Sequence, residues 1–181
     1  MTEHLLVGVL GHCNAGKSYT WEHLFDQKNL KTSSYGNERR LYLSKDKREW
    51  VSVFLINGSP AEREKDIYDI LNPKGIVNFQ NPRIVLCSMG YPNDVVRNNN
   101  AKTTLQYFVE LKYHLFIHWL NPGYEDFEEY NDESQCIPYI LKQPNSHLNI
   151  RNGKEPFDSR VNEIRDFIYD WSDKRGLLSR A

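Results

Sequence analysis

The sequence predicts a three-layer α/β domain with a mostly parallel β-sheet and one antiparallel hairpin strand. Short apolar runs, typical of buried strands, alternate with amphipathic helical segments along the chain, as in folds where parallel strands are joined by crossover helices. Two strand-like runs, 40–44 and 50–56, are separated only by the charged link 45–48, which is too short for a crossover. These two runs therefore predict the hairpin.

The first predicted element is a buried strand at Leu5–Leu10, followed by a helix whose apolar positions are Trp21, Leu24 and Phe25. The hairpin comes next. Ser59 and Pro60 are residue types preferred at the N-cap and first position of a helix, so we expect a helix to begin there. The remaining prediction is three strands and two helices, in chain order at 84–89, 102–113, 115–120, 148–150 and 158–174.

The composition indicates a single cytoplasmic domain spanning residues 1–181. The 23 basic and 24 acidic side chains nearly cancel, so no overall field favours a nucleic acid or an anionic membrane as partner. No apolar run approaches the length of a transmembrane helix. The three cysteines are odd in number and widely spaced, which is typical of reduced thiols. The 181 residues contain no repeat, low-complexity segment or interior linker.

The motif G-x-x-x-x-G-K-[ST] occupies positions 11–18, between the first predicted strand and the first predicted helix. This context distinguishes a phosphate-binding loop from a chance match. The glycines permit a tight turn of backbone N–H donors, and the helix N-terminus adds a partial positive charge. Lys17 is placed to reach the β- and γ-phosphates and Ser18 to ligate Mg²⁺. We expect the ligand to be ATP or GTP bound to Mg²⁺. The nucleotide is expected to contact Gly11, His12, Cys13, Asn14, Ala15, Gly16, Lys17, Ser18 and Tyr19.

The order of strand, phosphate-binding loop, helix, polar loop, hairpin and alternating helices and strands resembles the small Ras-type GTPases of the P-loop NTPase superfamily. The resemblance covers nearly the whole chain. It implies that strand 50–56 lies directly beside Leu5–Leu10 in a three-layer P-loop NTPase fold. It also implies a switch threonine near Thr32 and a metal-associated residue at Asn57, both candidate metal ligands beside Ser18, and a base contact at Asn121.

The motif residues themselves differ from that family. Its D-x-x-G element is replaced by Asn-Gly-Ser-Pro at 57–60, and its N-K-x-D element by Asn-Pro-Gly-Tyr at 121–124. Guanine selectivity depends on the missing carboxylate, so we expect poor base selectivity. The missing metal-associated acid weakens the expectation of efficient hydrolysis. An amide at position 57 could still order a metal-bound water, and Glu62 or Glu64 could replace the acid or simply stabilise the helix start.

Three functions stay open. The first candidate is a nucleoside triphosphatase that binds Mg²⁺-nucleotide and acts as a slow hydrolase or switch. Loops 31–37 and 58–64 are then the expected switches and the surface for a protein partner. The second candidate is a P-loop phosphotransferase, a kinase of a nucleotide or small metabolite. The third is a non-hydrolysing nucleotide- or partner-binding module. His118, on an apolar strand, is expected to be a core or edge histidine rather than a zinc ligand.

Overall fold

The computed structural model describes residues 3–30, 37–72, 82–91 and 99–181. The strands in these residues are β1 (Leu5–Leu10), β2 (Asn37–Tyr42), β3 (Glu49–Ile56), β4 (Ile84–Met89), β5 (His114–Leu120), β6 (Ser146–Arg151) and β7 (Ser179–Arg180). The helices are α1 (Lys17–Leu24), α2 (Pro60–Arg63), α3 (Ile67–Leu71), α4 (Ala101–Glu110), α5 (Cys136–Leu141) and α6 (Phe157–Asp173). None of the described helices is both long enough and apolar enough to cross a lipid bilayer.

The strands form one mixed sheet in the order β2-β3-β4-β1-β5-β6. β1 is parallel to both of its neighbours, β4 and β5, and β3 and β6 extend the parallel sheet on either side. β2 is antiparallel to β3, and the short β7 is antiparallel to the beginning of β3. The predicted α/β class, mostly parallel sheet and antiparallel hairpin are confirmed, whereas the pairing of β7 was not predicted.

The predicted neighbour of β1 is wrong, because β4 and not β3 pairs with it. Leu86 of β4 pairs with Val7 of β1 on one side and with Leu55 of β3 on the other. All six residues of β4 are buried, whereas β3 has an exposed position at Ser52. A strand that is apolar on both faces gains most from an interior position where helices cover both faces. β4 therefore separates the hairpin from β1.

Helices cover both faces of the sheet. On one face, Val7 of β1 belongs to a buried cluster with Trp21 of α1 and Ile164 of α6. On the other face, Leu6 belongs to a cluster with residues of α3, α4 and α5. The chain passes from β4 to β5 across β1, so the crevice at the carboxyl end of β1 lies at a topological switch point, where α/β sheets commonly bind ligands.

Two local predictions also need correction. The single helix expected from Ser59 is two helices, α2 and α3, because Glu64 adopts a left-handed conformation (φ 54°) that ends the first. Ser59 does cap α2, accepting a hydrogen bond from the Glu62 N–H, and Asp66 caps α3 in the same way. Helix α5 follows an acid-rich segment and was not predicted. It is short, at six residues, and its two buried side chains give little periodic signal.

Candidate functional site

The candidate site is the loop between β1 and α1. Its first residue, Gly11, donates its N–H to the Met89 carbonyl at the end of β4 (3.1 Å). Asn14 and Gly16 have positive φ angles of 59° and 96°. The Gly16 value is one that L side chains rarely adopt, which explains the motif's second glycine. Gly16 is also the N-cap of α1, and no side chain caps that helix end.

The Lys17 side chain is folded back across the loop. Its Nζ donates to the Gly11 carbonyl at 2.9 Å and to the His12 carbonyl at 2.6 Å, and it lies 3.7 Å from the Glu62 carboxylate. Only 5% of Lys17 is exposed. Burial lowers the pKa of the ammonium group, and the nearby Glu62 carboxylate opposes that shift. The loop thus holds a buried cation on two backbone carbonyls and one carboxylate.

A cavity of about 400 Å³ opens beside this loop, a volume typical of small-molecule sites. Its walls include Cys13, Asn14, Ala15, Gly16, Lys17, Ser18 and Tyr19, with Glu62, Tyr124 and Glu125 from other segments. Gly11 and His12, predicted to contact the ligand, do not line it and contribute carbonyls to Lys17 instead. The His12 ring packs against Tyr91 and Tyr130, with centroids 5.0 and 4.2 Å away.

Two further loops close on the loop between β1 and α1 at this edge of the sheet. The Tyr124 N–H, after β5, donates to the Ala15 carbonyl (3.0 Å). The Gly153 N–H, after β6, donates to the Pro122 carbonyl (2.8 Å). A Cβ atom added at Gly153 would stand 2.7 Å from the Ala15 carbonyl oxygen, so glycine is required by this close approach. The loops after β1, β5 and β6 therefore form one bonded unit.

The side chain of Asn121, the predicted base contact, forms hydrogen bonds within this unit of joined loops. Its Nδ2 donates to the Tyr130 carbonyl (2.9 Å) and its Oδ1 accepts from the Tyr130 N–H (3.0 Å). It is buried and does not line the cavity. Asp126, two residues beyond the expected base-reading position at Tyr124, accepts a hydrogen bond from the Gly123 N–H (2.8 Å) and so stabilises its own turn.

The candidate metal ligands differ in whether they line the cavity. Ser18 is exposed and lines the cavity. Thr32 lies outside the described residues, as does most of loop 31–37. Asn57 is buried and does not line the cavity. Its Nδ2 donates to the Leu30 carbonyl (3.3 Å), and its Oδ1 has no hydrogen-bond partner in the part of the chain that the structure describes. Of the two alternative acids, Glu62 lines the cavity and Glu64 does not.

The donors near Ser18 fit Mg²⁺. A hydroxyl and a carboxylate are hard oxygen ligands, and Mg²⁺ is commonly held by few protein groups together with substrate phosphates and water. Among the described side chains, no three His, Cys, Asp or Glu residues converge on a ready-made metal site. Ser18 and Glu62 would therefore supply only part of the oxygen ligands of an Mg²⁺ ion, and the rest would come from water or a bound molecule.

Sequence reasoning missed Arg160 and Phe157. Arg160 is 2% exposed and lies on α6, with its guanidinium carbon 4.2 Å from the Phe157 ring centroid. Both residues approach Gly16, which is far away along the chain. No local pattern indicates this contact, because an arginine in an amphipathic helix is ordinarily solvent-exposed.

His118 is fully buried on β5, as expected for a core histidine. Its Nε2 lies 3.6 Å from the Glu163 carboxylate, which also receives a bidentate pair of hydrogen bonds from Arg151. Burial lowers the pKa of His118 to about 4. The imidazole is therefore neutral near pH 7.

Comparison with known proteins gave no match to a family model, a curated protein or a solved structure. The site is accordingly defined by its own geometry.

Proposed function

We propose that the chain is a P-loop NTPase: it binds a nucleotide as its Mg²⁺ complex through residues 11–18 and hydrolyses the triphosphate slowly. The observation that carries this proposal is Lys17, a buried ammonium group held on the loop's own carbonyls beside an open cavity. A phosphate can replace those carbonyls as the partner of Lys17. The N-terminus of α1 adds backbone donors and a partial positive charge at the same place.

Mg²⁺ would be held by Ser18 with support from Glu62. Bound there, the ion would neutralise charge on the β- and γ-phosphate oxygens. Glu62 supplies the carboxylate that the chain lacks at position 57. The absence of a better-placed acid among the described residues supports slow rather than efficient hydrolysis.

The base is proposed to stack on aromatic side chains rather than to be recognised by its edge. Tyr19 and Tyr124 are 50% and 48% exposed at the lip of the cavity, with ring centroids 6.1 Å apart. The Phe157 ring backs Tyr124, stacked at 6.4 Å. Stacking tolerates any base because every base has a π-face. Asn121 and Asp126 are engaged elsewhere, so ATP and GTP are both expected ligands.

Helix α2 connects the site to a surface for a protein partner. Glu62, which faces Lys17, lies within loop 58–64, so ligand capture by Lys17 changes the surroundings of that segment. This coupling supports loop 58–64 as a nucleotide-sensitive switch. Loop 31–37 stays a predicted switch, because residues 31–36 lie outside the described residues. The three cysteines are free thiols, which supports the expected cytoplasmic location.

The position of β1 favours a second candidate, a P-loop phosphotransferase. In the GTPase-like arrangement the hairpin strand β3 would lie beside β1, whereas here β4 takes that place. Phosphotransferases usually flank the loop-bearing strand with parallel neighbours outside the hairpin, and β1 is parallel to both β4 and β5. The two functions differ in what receives the phosphoryl group, water or an acceptor hydroxyl. The third, a non-hydrolysing module, would bind nucleotide and release no phosphate.

Titration calorimetry with ATP, GTP and their diphosphates, with and without Mg²⁺, tests the proposal. Wild type should bind, and Lys17→Ala should lose most of the affinity, because the only side-chain cation of the motif is removed. Equal binding by the two proteins, or no binding by wild type, would contradict it. A phosphate-release assay then separates hydrolysis from mere binding, and phosphorus NMR with candidate nucleoside acceptors detects transfer.

A further inference from the structure

Arg160 is a buried cation with no matching anion in the described structure. Its Nε and Nη2 make only long hydrogen bonds, 3.4 and 3.3 Å, to the Thr20 hydroxyl. Its Nη1 is buried and has no hydrogen-bond partner among the described residues. Among the described residues no carboxylate forms an ion pair with it. A buried charge is unfavourable unless it is paired and hydrogen-bonded.

The guanidinium lies against the phosphate-binding loop. Its Nη2 is 3.4 Å from the position that a Cβ atom would occupy on Gly16. The Thr20 hydroxyl, which Arg160 contacts, donates to the Gly16 carbonyl (3.0 Å). Packing of Arg160 on Phe157 fixes it in this place. The unpaired charge thus lies beside Gly16, the N-cap residue of α1.

Arg160 stays protonated near neutral pH. Burial lowers the pKa of the guanidinium to about 10, with Glu155 opposing the shift, which still leaves it cationic at pH 7. A polyanion bound at the loop would supply the negative charge that the described side chains do not. The low local dielectric would strengthen the attraction between this anion and Arg160 across the backbone of the loop.

We propose that Arg160 is a second cation of the phosphate site, which stabilises a bound di- or triphosphate from behind the loop while Lys17 contacts it directly. Arg160 is a positioning and electrostatic residue in this role, since it does not line the cavity. The inference rests on the proposed function, because it requires that residues 11–18 bind phosphates. It adds a long-range contribution from α6 that the loop motif does not contain.

The test compares Arg160→Met, Arg160→Lys and the control Arg165→Met by calorimetry with ATP and with inorganic tripolyphosphate. Arg165 lies on the same helix and also contacts α1, donating to the Leu24 carbonyl at the other end of that helix (2.9 Å). Arg160→Met should weaken both ligands about tenfold, which corresponds to about 1.4 kcal/mol. Arg160→Lys should stay close to wild type because it keeps the charge, and Arg165→Met should match wild type.

Thermal unfolding of the ligand-free proteins separates this role from a structural one. Replacing an unpaired buried charge by an apolar side chain of similar volume is often neutral or stabilising, so empty Arg160→Met should melt at or above the wild-type temperature. Wild-type tripolyphosphate affinity in Arg160→Met would overturn the inference alone. An equal tenfold loss in Arg160→Lys would also overturn it, and that variant carries the test if Arg160→Met does not fold. Failure of wild type to bind either ligand would overturn the proposed function as well.

Discussion

The carboxylate of Glu62 lies 3.7 Å from the ammonium of Lys17, at the cavity that the loop between β1 and α1 lines. The same carboxylate accepts a hydrogen bond from the Ser59 N–H (3.4 Å), which keeps it at the start of α2. A phosphate entering the cavity would therefore meet a negative charge next to the lysine that should bind it.

Glu62→Gln should affect metal-free and Mg²⁺-bound nucleotide in opposite directions. Without the carboxylate, the repulsion of phosphates decreases, so affinity for Mg²⁺-free ATP should rise about three- to tenfold, the modest effect of a half-exposed charge. The gain in affinity on adding Mg²⁺ should shrink, because a hard oxygen ligand is lost. Calorimetry with and without Mg²⁺ measures both. Glu64→Gln is the control, and weaker binding of metal-free ATP by Glu62→Gln would contradict the prediction.

ATP and GTP should bind within about tenfold of each other, a gap of about 1.4 kcal/mol. A site that hydrogen-bonds one base rejects others strongly because its own polar groups are then left unpaired. Here the side chains of Asn121 and Asp126 form hydrogen bonds with backbone groups instead. Tyr124→Ala should weaken ATP and GTP equally and leave tripolyphosphate binding unchanged. Competition against a fluorescent nucleotide measures this, and a hundredfold preference for GTP would show that a carboxylate does recognise the base.

Gly153→Ala should destabilise the joined loops. The added methyl group would stand 2.7 Å from the Ala15 carbonyl oxygen and 2.8 Å from the Tyr124 nitrogen, both of which are backbone atoms. Overpacking of this kind costs about 1–3 kcal/mol. Chemical denaturation should show the loss, and nucleotide affinity should fall with it because Ala15 belongs to the loop that is proposed to bind phosphate. The exposed Lys154→Ala is the control, and unchanged stability of Gly153→Ala would contradict the prediction.

Stability should fall as the pH is lowered from about 6.5 to about 4. Burial lowers the pKa of both His118 and His114 to about 4 in the folded chain, so across this range the unfolded chain takes up protons that the folded chain does not. The full stability is present above this window and is lost on going down through it. His118→Phe should flatten the dependence of melting temperature on pH. Parallel curves for the two proteins would contradict this.

Local patterns predicted the elements whose signals lie within a few neighbouring residues, but not α5, β7 or the division of α2 from α3. Three contiguous features illustrate this: the apolar run of β1, the motif at 11–18 and the start of α1. Because they follow one another along the chain, their placement together needs no tertiary contact. The hairpin followed from the short charged link between its strands. Ser59 and Glu62 formed the expected helix start because a capping box needs only four neighbouring residues.

Contacts between distant segments could not be predicted in this way. Strand order depends on which apolar strand gains the most stability from burial on both faces. In this sheet that strand is β4, which lies between β3 and β1. The side chain of Asn121 could have faced a ligand, and the fold of residues 121–130 directed it to the Tyr130 backbone instead. Arg160 reached Gly16 only because α6 packs on α1.

The sequence by itself determined the chemistry available at the loop: two glycines, a lysine and a serine between a strand and a helix. Those features are set by backbone conformations and side-chain reach within a few residues. The tertiary structure decided which other groups act on the loop, namely Glu62 in front of Lys17, Tyr124 at the cavity's lip and Arg160 behind Gly16. Their positions depend on packing of both sheet faces and on electrostatics at short range, and neither is encoded by any one stretch of the chain.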